Sequence, residues 1–246
     1  MWLKLYIDEA GRWPLAWPLY VWVILPIKRF TKKSFKDSKK LSAKQRDKLF
    51  ADINKLQQKL SVEYSVWIVT NHEVDALWLT KATNLAILRW IFKILKIYYN
   101  MYLRNSLGNG LCSCDILNMY SIDNLLIKRN EEITAEDVNQ LIKTISETNQ
   151  IEKIIIDWNH TFWLDKDLDT PVETIIKWDD KVSEISMASI VAKVSRDERM
   201  IDIAHWQYPE YWFNHHKWYW TQKHRDIIKK KWPTKLHRKS FLNKIK

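Results

Sequence analysis

Apolar and polar residues alternate over residues 3–8, the period of a strand with one buried face. Residues 19–25 read as a second strand, with Val21, Val23 and Leu25 on one side. Ser42 can cap a helix running to about residue 60, and residues 62–69 look like a third strand. Helical sequence starts at Asn71 or His72. It continues, with a possible break, through Leu85, Leu88, Ile91 and Leu95 at helical spacing. Residues 100–131 are less regular, and 135–147 form a short helix. The run Ile154, Ile155, Ile156 is apolar throughout and ends at Asp157, as a buried central strand does. Residues 172–176 read as a fifth strand. Residues 183–200 form a helix with an apolar stripe of Met187, Ile190 and Val194 and a polar face of Ser186, Ser189, Lys193 and Asp197. Three strands, then helices, two more strands and terminal helices indicate an α/β domain built on a mixed five-stranded sheet. The expected organisation is a single domain over residues 1–246 with an irregular or inserted stretch near 100–150.

Composition changes this picture in two ways. The 40 Lys and Arg outnumber the 29 Asp and Glu, and the net charge of +11 favours a polyanionic partner such as nucleic acid. No apolar run reaches the roughly 18 residues of a membrane span, and residues 1–30 lack the order of a signal peptide. The expectation is a cytoplasmic protein, a monomer with no membrane partner. Cys112 and Cys114 read as incidental thiols.

The second change is an imbalance of 15 tryptophans against 3 glycines, where glycine is usually about 7%. Tryptophan also stands where turns ask for glycine, as in Trp13-Pro14, Trp17-Pro18 and Trp232-Pro233. Each overpacked site costs about 1–3 kcal/mol, and a domain has only about 5–15 kcal/mol of net stability. Most of these tryptophans are therefore expected to be glycine in the natural protein. A gene whose UGA codons mean glycine, translated as if they meant tryptophan, would produce this pattern.

The chemistry-bearing residues are carboxylates at strand ends. Asp8 and Glu9 follow the first strand, Asp157 ends the fourth, and Asp179 and Asp180 follow the fifth. Several carboxylates at one sheet edge repel one another unless a divalent cation offsets them, and Mg²⁺ or Mn²⁺ prefers such oxygens. Two such ions can drive phosphodiester hydrolysis without a Ser, His or Cys nucleophile. Each acid taken singly also suits a solvated turn or a helix N-terminus.

Longer motifs sharpen this. Residues 6–18, Tyr-Ile-Asp-Glu-Ala-Gly-Arg-Trp-Pro-Leu-Ala-Trp-Pro, resemble the opening motif of type 2 ribonucleases H, with Trp13 and Trp17 in glycine positions. Residues 37–42, Asp-Ser-Lys-Lys-Leu-Ser, match that family's next motif. Ile156-Asp157-Trp158-Asn159 resembles its Asp-Gly strand end, and Lys177-Trp178-Asp179 its Lys-Gly-Asp element. Residues 188–197 are similar to its signature helix. Tyr208-Pro209, the stretch 216–221 and His237-Arg238-Lys239-Ser240-Phe241 complete the order. Gly11-Arg12 favours type 2 over type 3.

The resemblance implies a ribonuclease H-like fold and a DNA-repair and replication endonuclease. It would cut 5′ of ribonucleotides in RNA–DNA hybrids or ribonucleotide-containing duplex DNA by two-metal-ion catalysis. It implies Asp8, Glu9, Asp157 and Asp179 as metal-binding catalytic carboxylates, with Asp197 a possible accessory acid or a partner within its own helix. Gly11, Arg12 and Trp13 would form the loop that reads the 2′-hydroxyl, Tyr219 would stack on a neighbouring sugar, and Lys39, Ser189 and Lys193 would hold phosphates. Genuine indoles at 13, 158, 178, 218 and 220 would crowd this site and point instead to an inactive nucleic-acid-binding protein. Another ribonuclease H-like nuclease is the remaining alternative, and no sliding-clamp peptide is evident.

Overall fold

The computed structural model describes residues 3–16, 18–28, 41–107, 133–146, 151–175, 183–199, 206–213 and 221–243. Lys39, Asp179, Tyr219, Cys112 and Cys114 lie outside the described residues.

The alternating and apolar runs form one sheet of five strands: β1 (Leu3–Ala10), β2 (Leu19–Pro26), β3 (Val62–Val69), β4 (Ile151–Ile156) and β5 (Val172–Thr174). Their spatial order is β3-β2-β1-β4-β5. The first three pair antiparallel, whereas β4 lies parallel to both β1 and β5. The mixed five-stranded sheet expected from the pattern is thus the one observed. The two-residue period divides it into two cores. Leu3, Leu5 and Ile7 of β1 and Leu19, Val21 and Val23 of β2 face one core; Tyr20, Trp22 and Ile24 face the other.

Helix α1 (Ala43–Gln58) starts where Ser42 accepts from the Gln45 backbone N–H and the Gln45 side chain returns the bond, a reciprocal cap. Helix α2 (Asn71–Leu77) has the same device in Thr70 and Glu73. Trp78, with φ 63° and ψ 152°, ends α2 and separates it from α3 (Leu79–Leu107). The expected break in this helical stretch is therefore real. Residues 100–107, expected to be irregular, instead continue α3 to Leu107; residues 108–132 of that stretch lie outside the described residues. Helix α4 (Ala135–Ser146) packs with α3 in the first core. A short α5 (Leu164–Asp167) leads towards β5. Helix α6 (Ser183–Arg199) fills the second core with Met187, Ile190, Val191 and Val194, and lies against β1, β2 and α1. A short 3-10 turn (Pro209–Tyr211), α7 (Gln222–Lys231) and α8 (Lys239–Leu242) follow. No described helix is long and apolar enough to cross a membrane.

Candidate active site

Parallel pairing of β1 with β4 sets the centre of the site. Ile7 lies opposite Ile156, and the Asp157 N–H donates to the Ile7 carbonyl at 3.0 Å. One residue beyond that pair, Asp8 and Asp157 stand side by side at the C-terminal ends of adjacent strands. Backbone bonds, rather than side-chain packing, fix their spacing. The Glu9 N–H donates to Asp8 Oδ1 at 2.8 Å.

Electrostatics shows that these acids share one field. The Glu9 carboxyl is pushed well above the ordinary carboxylate range, first by burial and then by the Asp8 charge. Arg12 works against that rise and Asp157 adds to it. Glu9 Oε1 is buried without a hydrogen-bond partner, a costly state for a carboxylate oxygen. An oxygen-rich, mutually repelling set with an orphaned buried oxygen suits a hard divalent cation. Among the described residues no three His, Cys, Asp or Glu side chains already form a metal-binding group. Asp179, the expected fourth acid, lies outside the described residues.

The chain leaves β1 through Gly11, whose φ of +92° is left-handed backbone. A Cβ there would also sit 3.2 Å from the Pro18 carbonyl oxygen and 3.6 Å from Arg196 Nε. Arg12 follows, half-buried, and its Nη2 donates to Thr80 Oγ1 at 3.3 Å. Its guanidinium lies 5.5 Å from the Trp158 ring centroid and 5.1 Å from that of Phe162. Arg12 therefore touches the segment that carries Asp157 as well as its own. Burial draws its pKa down, while Glu9 opposes that shift. Trp13 is 64% exposed and lies 6.0 Å from the same guanidinium.

Arg238 is a residue that the sequence places in a motif without assigning it a role. It is fully buried, and its Nη2 donates to the Gly11 carbonyl at 2.6 Å. Its Nη1 donates to the carbonyls of Arg12 at 2.7 Å and Pro14 at 3.2 Å. Its backbone N–H donates to Leu15 O at 2.9 Å, and His237 bridges to Ala16. Burial, then the nearby Arg196, pulls the Arg238 pKa down to about 9. Helix α2 secures this C-terminal segment. Asn71 Nδ2 donates to Lys235 O at 2.9 Å and His237 O at 3.3 Å. Asp75 accepts from the backbone N–H groups of Lys239 at 2.8 Å and Ser240 at 2.9 Å.

Helix α6 brings Ser189, Lys193 and Asp197 onto one side. Ser189 is nearly buried. Lys193 Nζ meets Asp197 Oδ1 at 3.2 Å, so Asp197 pairs within its own helix.

Against known proteins, residues 5–100 and 114–244 match the family described as Ribonuclease HII. The chain belongs to the ribonuclease HII family. A ribonuclease HII of Caldicellulosiruptor bescii is 31% identical over 241 residues, covering 97% of this chain and 86% of that one. One from Endomicrobium trichonymphae is 32% identical, covering 96% and 83%. Ribonuclease H2 from Pyrococcus horikoshii superposes with a TM-score of 0.56 at 20% identity, over 99% of this chain and 96% of the other. RNase HII from Archaeoglobus fulgidus, solved with PCNA, gives 0.55 at 18%, over 98% and 94%. The ribonuclease H-like α/β fold expected from the motifs is thus shown. With family membership, so is the reaction class: the chain is a ribonuclease H endonuclease.

Proposed function

We propose that this ribonuclease HII hydrolyses the phosphodiester on the 5′ side of a ribonucleotide embedded in duplex DNA or in an RNA–DNA hybrid. One observation carries the reading. Asp8 and Asp157 lie side by side towards the C-terminal ends of adjacent parallel strands, and both raise the pKa of a buried Glu9. Asp8, Glu9 and Asp157, with Asp179, are the residues that would hold Mg²⁺ or Mn²⁺. Bound there, two such ions supply Lewis acidity, activating a water and offsetting charge on the leaving oxygen.

The chain's own groups have separate tasks. Gly11, Arg12 and Trp13 form the loop that faces the ribose. Arg238 takes the carbonyls of Gly11 and Arg12, so recognition of the 2′-oxygen falls to the N–H groups of that loop. A 2′-hydroxyl is what separates RNA from DNA at one nucleotide. Arg238 acts as a positioning residue: it touches the loop, and the loop touches substrate. Lys39, Ser189 and Lys193 take phosphates, which set register without reading sequence. Asp197 holds Lys193 in place, and Tyr219 stacks on the neighbouring sugar. The single-domain organisation over residues 1–246 and a cytoplasmic, monomeric protein in ribonucleotide repair and DNA replication belong to the same reading.

The test is cleavage of a DNA duplex carrying one ribonucleotide, with Mg²⁺ or Mn²⁺ and an Asp8→Asn control. The expected product ends immediately 5′ of the ribonucleotide and disappears in the control. Salt-sensitive binding without cleavage by folded, metal-supplied protein would replace this reading with a nucleic-acid-binding one.

A further inference from the structure

Six non-glycine residues among those described have left-handed backbone, and four are tryptophans: Trp78 (φ 63°), Trp163 (φ 63°), Trp212 (φ 53°) and Trp232 (φ 64°). Tryptophan makes up 15 of 246 residues, so this concentration is not a matter of abundance. Each sits at a helix boundary. Trp78 ends α2, Trp232 ends α7, Trp212 ends the 3-10 turn, and Trp163 precedes α5. A chain leaving a helix commonly takes one left-handed residue, usually glycine, because a Cβ clashes there. At Trp78 and Trp232, ψ is 152° and 157°. That combination with positive φ is entered almost solely by glycine.

The indoles themselves give a second, independent observation. Six of the seven large apolar side chains exposed among the described residues are tryptophans, with Trp206 and Trp232 each 79% exposed. The indole nitrogens of Trp22, Trp67 and Trp90 are buried without a hydrogen-bond partner, although buried indoles ordinarily find one. The described tryptophans thus divide largely into rings standing in water and rings with an orphaned N–H. A platform for stacking bases would account for exposure. It would not account for left-handed backbone or for orphaned nitrogens inside the core.

We infer that the protein made in its native cell carries glycine at positions 78, 163, 212 and 232, through a codon that its genetic code reads as glycine and a different code reads as tryptophan. UGA, a codon whose meaning differs between codes, is the candidate. The same codon then accounts for most of the other tryptophans, including Trp13 and Trp158 beside the site. This inference does not depend on the proposed reaction, since it concerns backbone and burial.

The deciding experiment reads the four codons in the gene and the masses of the corresponding peptides from protein isolated from native cells. UGA codons and glycine masses are expected. UGG codons, or tryptophan masses, overturn the inference. A second measurement uses recombinant protein bearing Trp78→Gly, Trp163→Gly, Trp212→Gly and Trp232→Gly together. Its thermal unfolding midpoint is expected to rise above that of the tryptophan-bearing chain. An unchanged or lower midpoint counts against the backbone argument.

Discussion

Asp8, near the end of β1, and Asp157, just past the end of β4, stand on neighbouring parallel strands, and ladder hydrogen bonds fix their separation. The turn over residues 11–14 has no such neighbour in its own sequence. Its carbonyls are held by Arg238, 226 residues away from Arg12. The first arrangement comes from the sheet and tolerates change elsewhere. The second depends on one guanidinium and on the segment that presents it. Chemistry and substrate reading are therefore expected to fail separately.

The largest effect should come from the strand side. Asp8→Asn is expected to lower kcat by at least about 10²–10³-fold, the range for losing one preorganised charge-stabilising group. Substrate binding and the unfolding midpoint should change little. A variant that cleaves at close to the wild-type rate would remove Asp8 from the chemistry.

Next comes the loop side. Arg238→Gln leaves buried carbonyls short of donors, at about 1–3 kcal/mol for a group left unpaired. The effect should appear as a raised KM for the ribonucleotide-bearing duplex. It should also weaken the preference for that duplex over all-DNA competitor. Arg238→Lys should recover part of both. A loss of stability with unchanged preference would make Arg238 merely structural.

The sequence foretold these two halves unequally. Alternation and the apolar run at Ile154–Ile156 located all five strands, because a two-residue period is a local signal. Strand ends put forward Asp8, Glu9 and Asp157 as candidates, although β1 runs on to Ala10 and so contains Asp8 and Glu9 rather than preceding them. Arg238 was visible only as part of a His-Arg motif, since nothing local shows that an arginine will be buried against carbonyls more than 220 positions earlier. Asp197 reads from the sequence as a possible accessory acid or a partner within its own helix; in the structure it makes an i,i+4 contact with Lys193. The break at Trp78 was foreshadowed by sequence, but its left-handed geometry needed coordinates.

A third prediction concerns the repelling acids. Added Mg²⁺ should raise the unfolding midpoint, because it binds the folded arrangement and not the dispersed chain. Glu9→Gln should stabilise the metal-free protein by removing a buried charge, and should blunt the response to Mg²⁺. Equal shifts in the variant and the parent would place the cation elsewhere.

A smaller effect follows from Glu73, which caps the helix carrying Asn71 and Asp75. Burial alone would raise its pKa, but the Thr70 N–H, Arg89 and the Thr70 hydroxyl outweigh that and hold it below the ordinary carboxylate value. A carboxyl lowered on folding stabilises above its unfolded pKa, and that contribution is lost as pH falls through the folded value. Acid below the ordinary carboxylate range should therefore loosen α2 and the C-terminal segment that it secures. Hydrogen exchange at residues 235–240 can follow this, and Glu73→Gln should weaken the pH dependence, the remainder coming from the Asp75 carboxylate that holds Lys239 and Ser240.

The Arg238 clasp also has a consequence during synthesis. A ribosome emits β1 more than 220 residues before it emits Arg238. A nascent chain can pair its strands and assemble the carboxylates while the turn over residues 11–14 still lacks its clasp. The turn is completed only once Arg238 has emerged, so fragments released before it would carry paired strands and their carboxylates without that clasp.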